Sequence, residues 1–351
     1  MEIKHAPDLD KLNYKLKTIE EDFIVEELFN YELLEKGSFY VYKLVKENLN
    51  THNALRIISQ KLNISQKDIG YAGLKDRRAV TIQYISIPSS INLEKDYDFS
   101  DDNSLLQLIR VGFRNERIYP GCLSRNKFEI VVRDLDSLVV ERFKDGNLPS
   151  YYINFFGEQR FSTSNNLIGK CMIKKEYKEA LDFMLATFSS RDKEKLEREI
   201  DNCNGNYLHA ILTVDKKLLR LYLHAYQSEL WNKAALKYLE RKGIKELLEL
   251  DDLLSIYIPM IGFDIDGEGI VVEIVEKIME LEGLNSRDLI LRQFQGLGLE
   301  GGNRSLVNKA DDAKVIDIND DEFNSGKNKI ILSFKLPKGS YATEYIRQLI
   351  M

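Results

Sequence analysis

Residues 70–83 read Gly-Tyr-Ala-Gly-Leu-Lys-Asp-Arg-Arg-Ala-Val-Thr-Ile-Gln, and they constrain the fold of this 351-residue chain more than any other stretch. Glycines flank Tyr71-Ala72 and permit tight backbone turns that a Cβ would forbid. Asp76 follows, with Lys75 before it and Arg77 and Arg78 after it. The β-branched run 80–87 then reads as a strand. The pattern predicts a glycine-set loop that hands a carboxylate to the start of a strand. Cations on both sides favour the ionised form of Asp76. Such a carboxylate suits nucleophilic or charge-stabilising work on a polyanion; a solvated turn of mixed charges is the plain alternative.

Around this loop, strands alternate with helices. Residues 14–28 predict two short strands about a turn at Glu20-Glu21-Asp22, and 38–46 predict another strand. Thr51 is placed to cap a helix whose apolar positions Ala54, Leu55, Ile58 and Leu62 fall at helical spacing. Ser65 opens a short helix ending at Gly70. Residues 105–113 and 126–133 read as strands separated by a Pro120-Gly121 turn, and 138–143 as a helix stopped by Gly146. After Asn154-Phe155-Phe156-Gly157-Glu158-Gln159-Arg160-Phe161 the texture changes. Residues 177–188, 192–200 and 218–242 read as helices, the last carrying Leu219, Tyr222, Leu223, Tyr226, Leu230 and Ala234 on one face. A β-like run at 253–258, a helix at 270–281, a strand at 329–334 and a helix from Ser340 follow. This order predicts an α+β fold. Residues 1–170 plus 306–351 form one discontinuous domain, and 171–305 form a helix-rich insertion.

Hydrophobic residues make up 44% of the chain and charged residues 30%, as in a globular protein. Cys122, Cys171 and Cys203 show no metal spacing with one another or with the four histidines, which speaks for incidental thiols and against a metal site. A net charge of -6 argues against a generic basic coat for nucleic acid, while leaving room for a local basic face. No apolar run reaches membrane-span length, and the N-terminal residues lack a signal-peptide pattern, so a cytoplasmic protein is expected.

The run 73–81, Gly-Leu-Lys-Asp-Arg-Arg-Ala-Val-Thr, resembles the signature of the tRNA pseudouridine synthase D (TruD) family, whose motif aspartate is catalytic. Other stretches resemble the same family in the same order, most closely its archaeal and eukaryotic branch. Lys17 stands at the family's spacing from the Asp22-Phe23 dipeptide of Glu21-Asp22-Phe23-Ile24-Val25-Glu26-Glu27. Residues 154–161 are similar to an Asn-Tyr-Phe-Gly motif, with Phe155 where tyrosine is common. Arg117, Gly121, Leu123, Asn126 and Phe128 match a further stretch, with Cys122 and Ser124 as departures. Gln227-Ser228-Glu229-Leu230-Trp231-Asn232 and Gly301-Gly302-Asn303-Arg304 resemble segments of the family's inserted domain. Tyr341 stands where the family has phenylalanine or tyrosine.

The resemblance implies a pseudouridine synthase-like mixed sheet with flanking helices, split by an inserted TRUD domain. It implies an isomerase that converts a uridine of tRNA, expected at position 13, to pseudouridine, with Asp76 as nucleophile on a flipped-out nucleotide. Lys17, Phe23, Asn154, Phe156 and Tyr341 are its implied substrate-binding residues. An Asn154 amide offers a donor and an acceptor to a uracil edge, and a base stacked on Phe156 is worth about 1–3 kcal/mol. Lys75, Arg77, Arg78, Arg117, Arg125 and Arg304 are the candidate contacts to RNA phosphates. The implied partner is tRNA, with no cofactor, metal or membrane. Without the resemblance, Phe23 and Phe156 read as core aromatics, Lys17 as an exposed lysine, Asn154 as a turn residue and Tyr341 as the first turn of a helix. The rival readings are a non-catalytic tRNA-binding or folding factor on the same scaffold and, setting the resemblance aside, a small-molecule acid–base enzyme.

Overall fold

The computed structural model describes residues 14–28, 31–93, 95–122, 124–246, 250–265 and 269–351. Leu123 and most of the N-terminal stretch read for a targeting signal lie outside the described residues. The chain first forms β1 (Phe23–Leu28), β2 (Phe39–Glu47), α1 (Thr51–Leu62), β3 (Gly70–Tyr71), β4 (Val80–Pro88), β5 (Asp96–Asp98), β6 (Leu105–Arg114), β7 (Arg125–Leu135) and the short α2 (Ser137–Glu141). Next come β8 (Tyr151–Ile153) and the helices α3 (Glu158–Phe161), α4 (Asn165–Lys174), α5 (Tyr177–Thr187), α6 (Ser190–Asn202), α7 (Tyr207–Leu212) and α8 (Lys216–Lys242). The remainder is β9 (Tyr257–Met260), α9 (Ile270–Leu281), β10 (Gly302–Ser305), β11 (Val307–Lys309), β12 (Asp311–Asp320), β13 (Asn328–Pro337) and α10 (Ala342–Ile350). Two compact units result. A sheet unit holds the described residues up to Tyr152 with Asn308–Ala342 and Leu349–Met351; a helical unit holds Ile153–Val307 and Thr343–Gln348.

In the sheet unit the strands lie in the order β12-β13-β7-β1-β4-β2-β6-β5, with β3 also on β4. The pairings are antiparallel except β1 with β4, which run parallel with Ile24 opposite Val80. Parallel neighbours start at the same end of a sheet. The turn before β1 and the loop before β4 are therefore side by side, which places Lys17 and Asp76 together. Alternating residues of β2, β4 and β6, among them Tyr42, Leu44, Ile85, Ile87, Leu106 and Leu108, meet Ala54, Leu55 and Ile58 of α1 in a core cluster. Each such aliphatic side chain, fully buried, contributes about 1.5–3 kcal/mol.

Several expectations change on this frame. The cap of α1 is Asn50, whose side chain accepts from the Asn53 amide; Thr51 turns inward. Among the described residues before the 3-10 turn Glu20–Asp22 there is one backbone bridge, Lys15 to Arg133, and no paired strand. The β-like run at 253–258 begins instead at Tyr257, because Asp251–Leu253 winds into a 3-10 turn. β12 was hidden by its charge: Asp311, Asp312, Lys314, Asp317 and Asp320 line an edge strand, where charge discourages pairing with another chain. Gly70 is extended and not left-handed. Its glycine is required by crowding, since a Cβ there would lie 2.4 Å from both the Ile118 carbonyl oxygen and Ser86 Oγ.

The helical unit is built on α8, which buries Leu219, Tyr222, Leu223, Tyr226, Leu230, Trp231 and Ala234. Gly169 lets α4 press against it, because a Cβ would sit 2.1 Å from the Tyr222 carbonyl oxygen. Glu282, just beyond α9, is engaged by Lys170, Lys233 and Tyr226. Burial alone would raise its carboxyl, but these three donors outweigh burial and hold it at about 2. β9 and β10 pair antiparallel, with Met260 opposite Gly302.

Candidate active site

Asp76 lies on the loop that enters β4, with its side chain 43% exposed. Lys17 Nζ donates to its Oδ2 at 2.7 Å. Among the described residues no hydrogen bond reaches Oδ1. The same ammonium stands 4.2 Å from the centroid of the Phe23 ring, a cation–π contact. Phe23 is buried and meets Phe128 edge-on at 6.2 Å, and Phe128 stacks on Phe334. An aromatic floor thus carries an ammonium, which carries a half-open carboxylate.

The turn that supplies Lys17 is held from beneath. Lys17 has φ 57°, a left-handed conformation costing a non-glycine residue about 1 kcal/mol. The next two amides, of Thr18 and Ile19, donate to Asp22 Oδ2 at 3.1 and 3.2 Å. Asp22 is fully buried and takes Arg133 Nε and Nη2 in a fork. Arg133 in turn reaches Asp321 at 3.1 Å, and its backbone bridges Lys15. A buried ion network seats the strained lysine.

The cations adjacent to Asp76 in sequence do not gather at its carboxylate. Lys75 Nζ turns inward to Glu27 Oε1 at 2.5 Å, and Glu27 is buried. Arg77 Nε donates to the Asn48 side chain and carbonyl. Arg78 reaches the Lys17 carbonyl at 3.4 Å. The expected collar is replaced by Lys17 from a distant turn, because successive loop residues point in different directions. Arg117 donates to the carbonyls of Lys67 and Ile69, and Arg125 pairs with Asp311. Arg77, Arg78 and Arg117 nevertheless keep exposed surface beside the loop.

In the helical unit, Asn154 is buried and its amide is fully occupied. Oδ1 accepts from Arg304 Nη2 at 2.6 Å, and Nδ2 donates to the Ser305 carbonyl and Oγ at 3.1 Å each. Arg304 also donates twice to the Asn154 carbonyl. Its guanidinium lies 4.0 Å from the Phe156 ring centroid, so this expected phosphate contact stands on the ring face. Asn232 of α8 grips the Phe156 backbone reciprocally, accepting from its amide at 3.0 Å and donating to its carbonyl at 2.9 Å. Trp231 packs edge-on against the ring at 5.7 Å and donates Nε1 to the Ile258 carbonyl. Gln227 Nε2 reaches the carbonyls of Ile261 and Glu300. Residues 154–161 therefore belong with α8 and β10, not with the sheet.

Tyr341 is half-buried at the entry to α10 in the sheet unit. Sequence reasoning missed Glu27, Arg133 and Asn232. Asp22 carried a signal, standing beside Phe23 in a motif, but its buried partner lies 111 residues away. Among the described residues no group of three or more His, Cys, Asp or Glu side chains is placed to hold a metal ion. Among the described residues no helix is long and apolar enough to cross a membrane.

The sequence profile of the family described as "tRNA pseudouridine synthase D (TruD)" matches residues 4–203 and 251–349. "Probable tRNA pseudouridine synthase D 2" of Methanocaldococcus jannaschii is 32% identical over 396 residues, covering 95% of this chain and 91% of that protein. The tRNA pseudouridine synthase D of Aquifex aeolicus is 29% identical over 389 residues, covering 96% and 98%. A Methanosarcina mazei crystal structure, solved as a candidate tRNA pseudouridine synthase D (TruD), has a TM-score of 0.73 at 24% identity over 98% of this chain and 94% of that one, and shares the fold. With its profile match, its relatives and its fold in agreement, the chain belongs to the tRNA pseudouridine synthase D (TruD) family.

Proposed function

We propose that this chain is an RNA pseudouridine synthase that isomerises a uridine of tRNA, at position 13, with Asp76 as the catalytic nucleophile on an extruded nucleotide. The observation that carries this reading is the Lys17–Asp76 pair over Phe23, formed by two separate family motifs. The reaction breaks the bond between ribose and uracil N1, turns the base, and joins ribose to C5. An ionised carboxylate needs no general base to act as nucleophile, unlike a serine. Lys17 occupies Oδ2 and steadies the charge, while Oδ1 is available to the nucleotide. Extruding the base costs a few kcal/mol, offset by pocket contacts. Phe23 and Tyr341 serve the nucleotide, Asn154 reads the uracil edge and Phe156 stacks on the base. For Asn154 this requires exchanging Arg304 or Ser305 for uracil. Arg77, Arg78 and Arg117 supply cations for the phosphates. In this proposal residues 171–305 are an insertion in a catalytic domain of 1–170 plus 306–351.

The test is tritium release from 5-tritiated uridine in tRNA. Wild-type protein should release it, and the modified position is mapped by carbodiimide. Asp76→Asn should release none while retaining tRNA binding. Full turnover by Asp76→Asn would overturn the role of Asp76. Wild-type protein that binds tRNA without forming pseudouridine would instead favour a binding factor.

A further inference from the structure

Asp76 is exposed, yet the main chain leading to it is held from inside the protein. Gln83 Nε2 donates to the Gly73 carbonyl at 3.2 Å. Thr51 Oγ1 accepts from the Lys75 amide at 2.9 Å. Lys46 Nζ donates to the Asp76 carbonyl at 2.9 Å and to the Leu49 carbonyl at 2.7 Å. Thr51 Oγ1 also donates to Gln83 Oε1 at 3.2 Å, which joins two of the three anchors. None of these side chains is more than 1% exposed. Each stands on a regular element: Lys46 near the end of β2, Thr51 at the first residue of α1, and Gln83 on β4.

Burying these groups is costly, and a loop at the surface does not require it. An exposed carbonyl or amide is satisfied by water, whereas an ammonium taken from water must recover its hydration from fixed partners. Burial pulls the Lys46 amine down to about 8, against the pull of Asp76 in the other direction. A methionine would fill much the same volume without that cost. The lysine instead spends its charge on two carbonyls, one belonging to Asp76.

We propose that Lys46, Thr51 and Gln83 are positioning residues for Asp76, fixing its main chain so that the open carboxylate oxygen meets the nucleotide without rearrangement. This rests on the reading of Asp76 as the nucleophile. Misplacing a reacting group by about 1 Å costs on the order of 100-fold in rate. The test compares single-turnover rate at saturating tRNA with tRNA affinity, in the full chain. Lys46→Met and Thr51→Val should each lower the rate by about 10- to 100-fold and leave Kd within about threefold. Thr51→Ser, which restores the oxygen, should recover the rate to within about threefold of wild type. A folded Thr51→Val protein with an unchanged rate would overturn the inference, as would a Thr51→Ser protein as slow as Thr51→Val. If Lys46→Met does not fold, the Thr51 pair decides alone. An active Asp76→Asn protein would remove the underlying reading; an inactive one beside a fully active Thr51→Val would overturn the positioning role only.

Discussion

The Asp76 cluster and the Asn154 cluster carry the chain's two most specific motifs, and they are finished in opposite ways. At Asp76 one carboxylate oxygen is held by Lys17, and the other has no partner among the described residues. At Asn154 both ends of the amide are bound, and the neighbouring Phe156 ring is covered by the Arg304 guanidinium. The first group is open, and in the proposed reaction it engages the nucleotide as it stands. The second is closed on itself, and in the proposed reaction it trades an internal partner for the uracil edge. Low exposure at Asn154 thus marks a group already paid in hydrogen bonds, while half-exposure at Asp76 marks one held ready.

The sharpest way to break this contrast is to remove the open group. Asp76→Asn should lower single-turnover pseudouridine formation by about 10,000-fold, roughly 5.5 kcal/mol, with tRNA binding retained. Next in size is the buried network under Lys17. Arg133→Met leaves the buried carboxylates of Asp22 and Asp321 without that cation and should destabilise the protein by about 3–5 kcal/mol in urea titrations. Removing the cation itself, with Lys17→Met, should cost about 100-fold in turnover, because a preorganised charge partner is lost. On the closed side, Asn232→Ala frees the Phe156 backbone and should cost about 10-fold in turnover, roughly 1.4 kcal/mol. An Asn232→Ala effect as large as that of Lys17→Met would erase the distinction between the clusters.

The smallest expected effect is on acid stability. Burial raises the carboxyls of Asp321 and Glu282, but hydrogen bonds outweigh it: from Asp134, Asn324, Phe323 and Arg133 at Asp321, and from Lys170, Lys233 and Tyr226 at Glu282. Both end near about 2, below their ordinary values of 3.8 and 4.5. A depressed folded pKa stabilises above the unfolded pKa and loses that stabilisation as pH falls through the folded one. Melting temperature should therefore decline between about pH 4.5 and about pH 2. Glu282→Gln should flatten part of that decline, and an unchanged slope would remove Glu282 from the account.

Local pattern was legible wherever burial followed a simple period. The strand from Val80 and the helix Ile270–Leu281 stand close to where the β-branched run and the sequence reading of a helix at 270–281 put them. The α1 face of Ala54, Leu55 and Ile58 is buried as its spacing requires. β12 was not legible, because an edge strand has little to bury and its charges conceal the alternation. The inward turn of Thr51 was not legible either. A threonine before an apolar run looks like a cap until the neighbouring Asn50 takes that place.

At the site, the motif around Asp76 singled out the carboxylate, since glycines, cations and a β-branched run are local features. Its partners are not local. Lys17 lies 59 residues away and reaches Asp76 because β1 and β4 pair in parallel. Lys75 sits next to Asp76 in sequence and turns to Glu27 instead. Arg304 resembled a phosphate contact and instead closes over Phe156 and Asn154. Residue order alone dictates which segments turn, extend or coil, because those preferences depend on neighbours within a few positions. Which cation faces which carboxylate depends on strand register and on the burial of the rest of the chain, and charge attraction is too undirected to specify it before the sheet has formed.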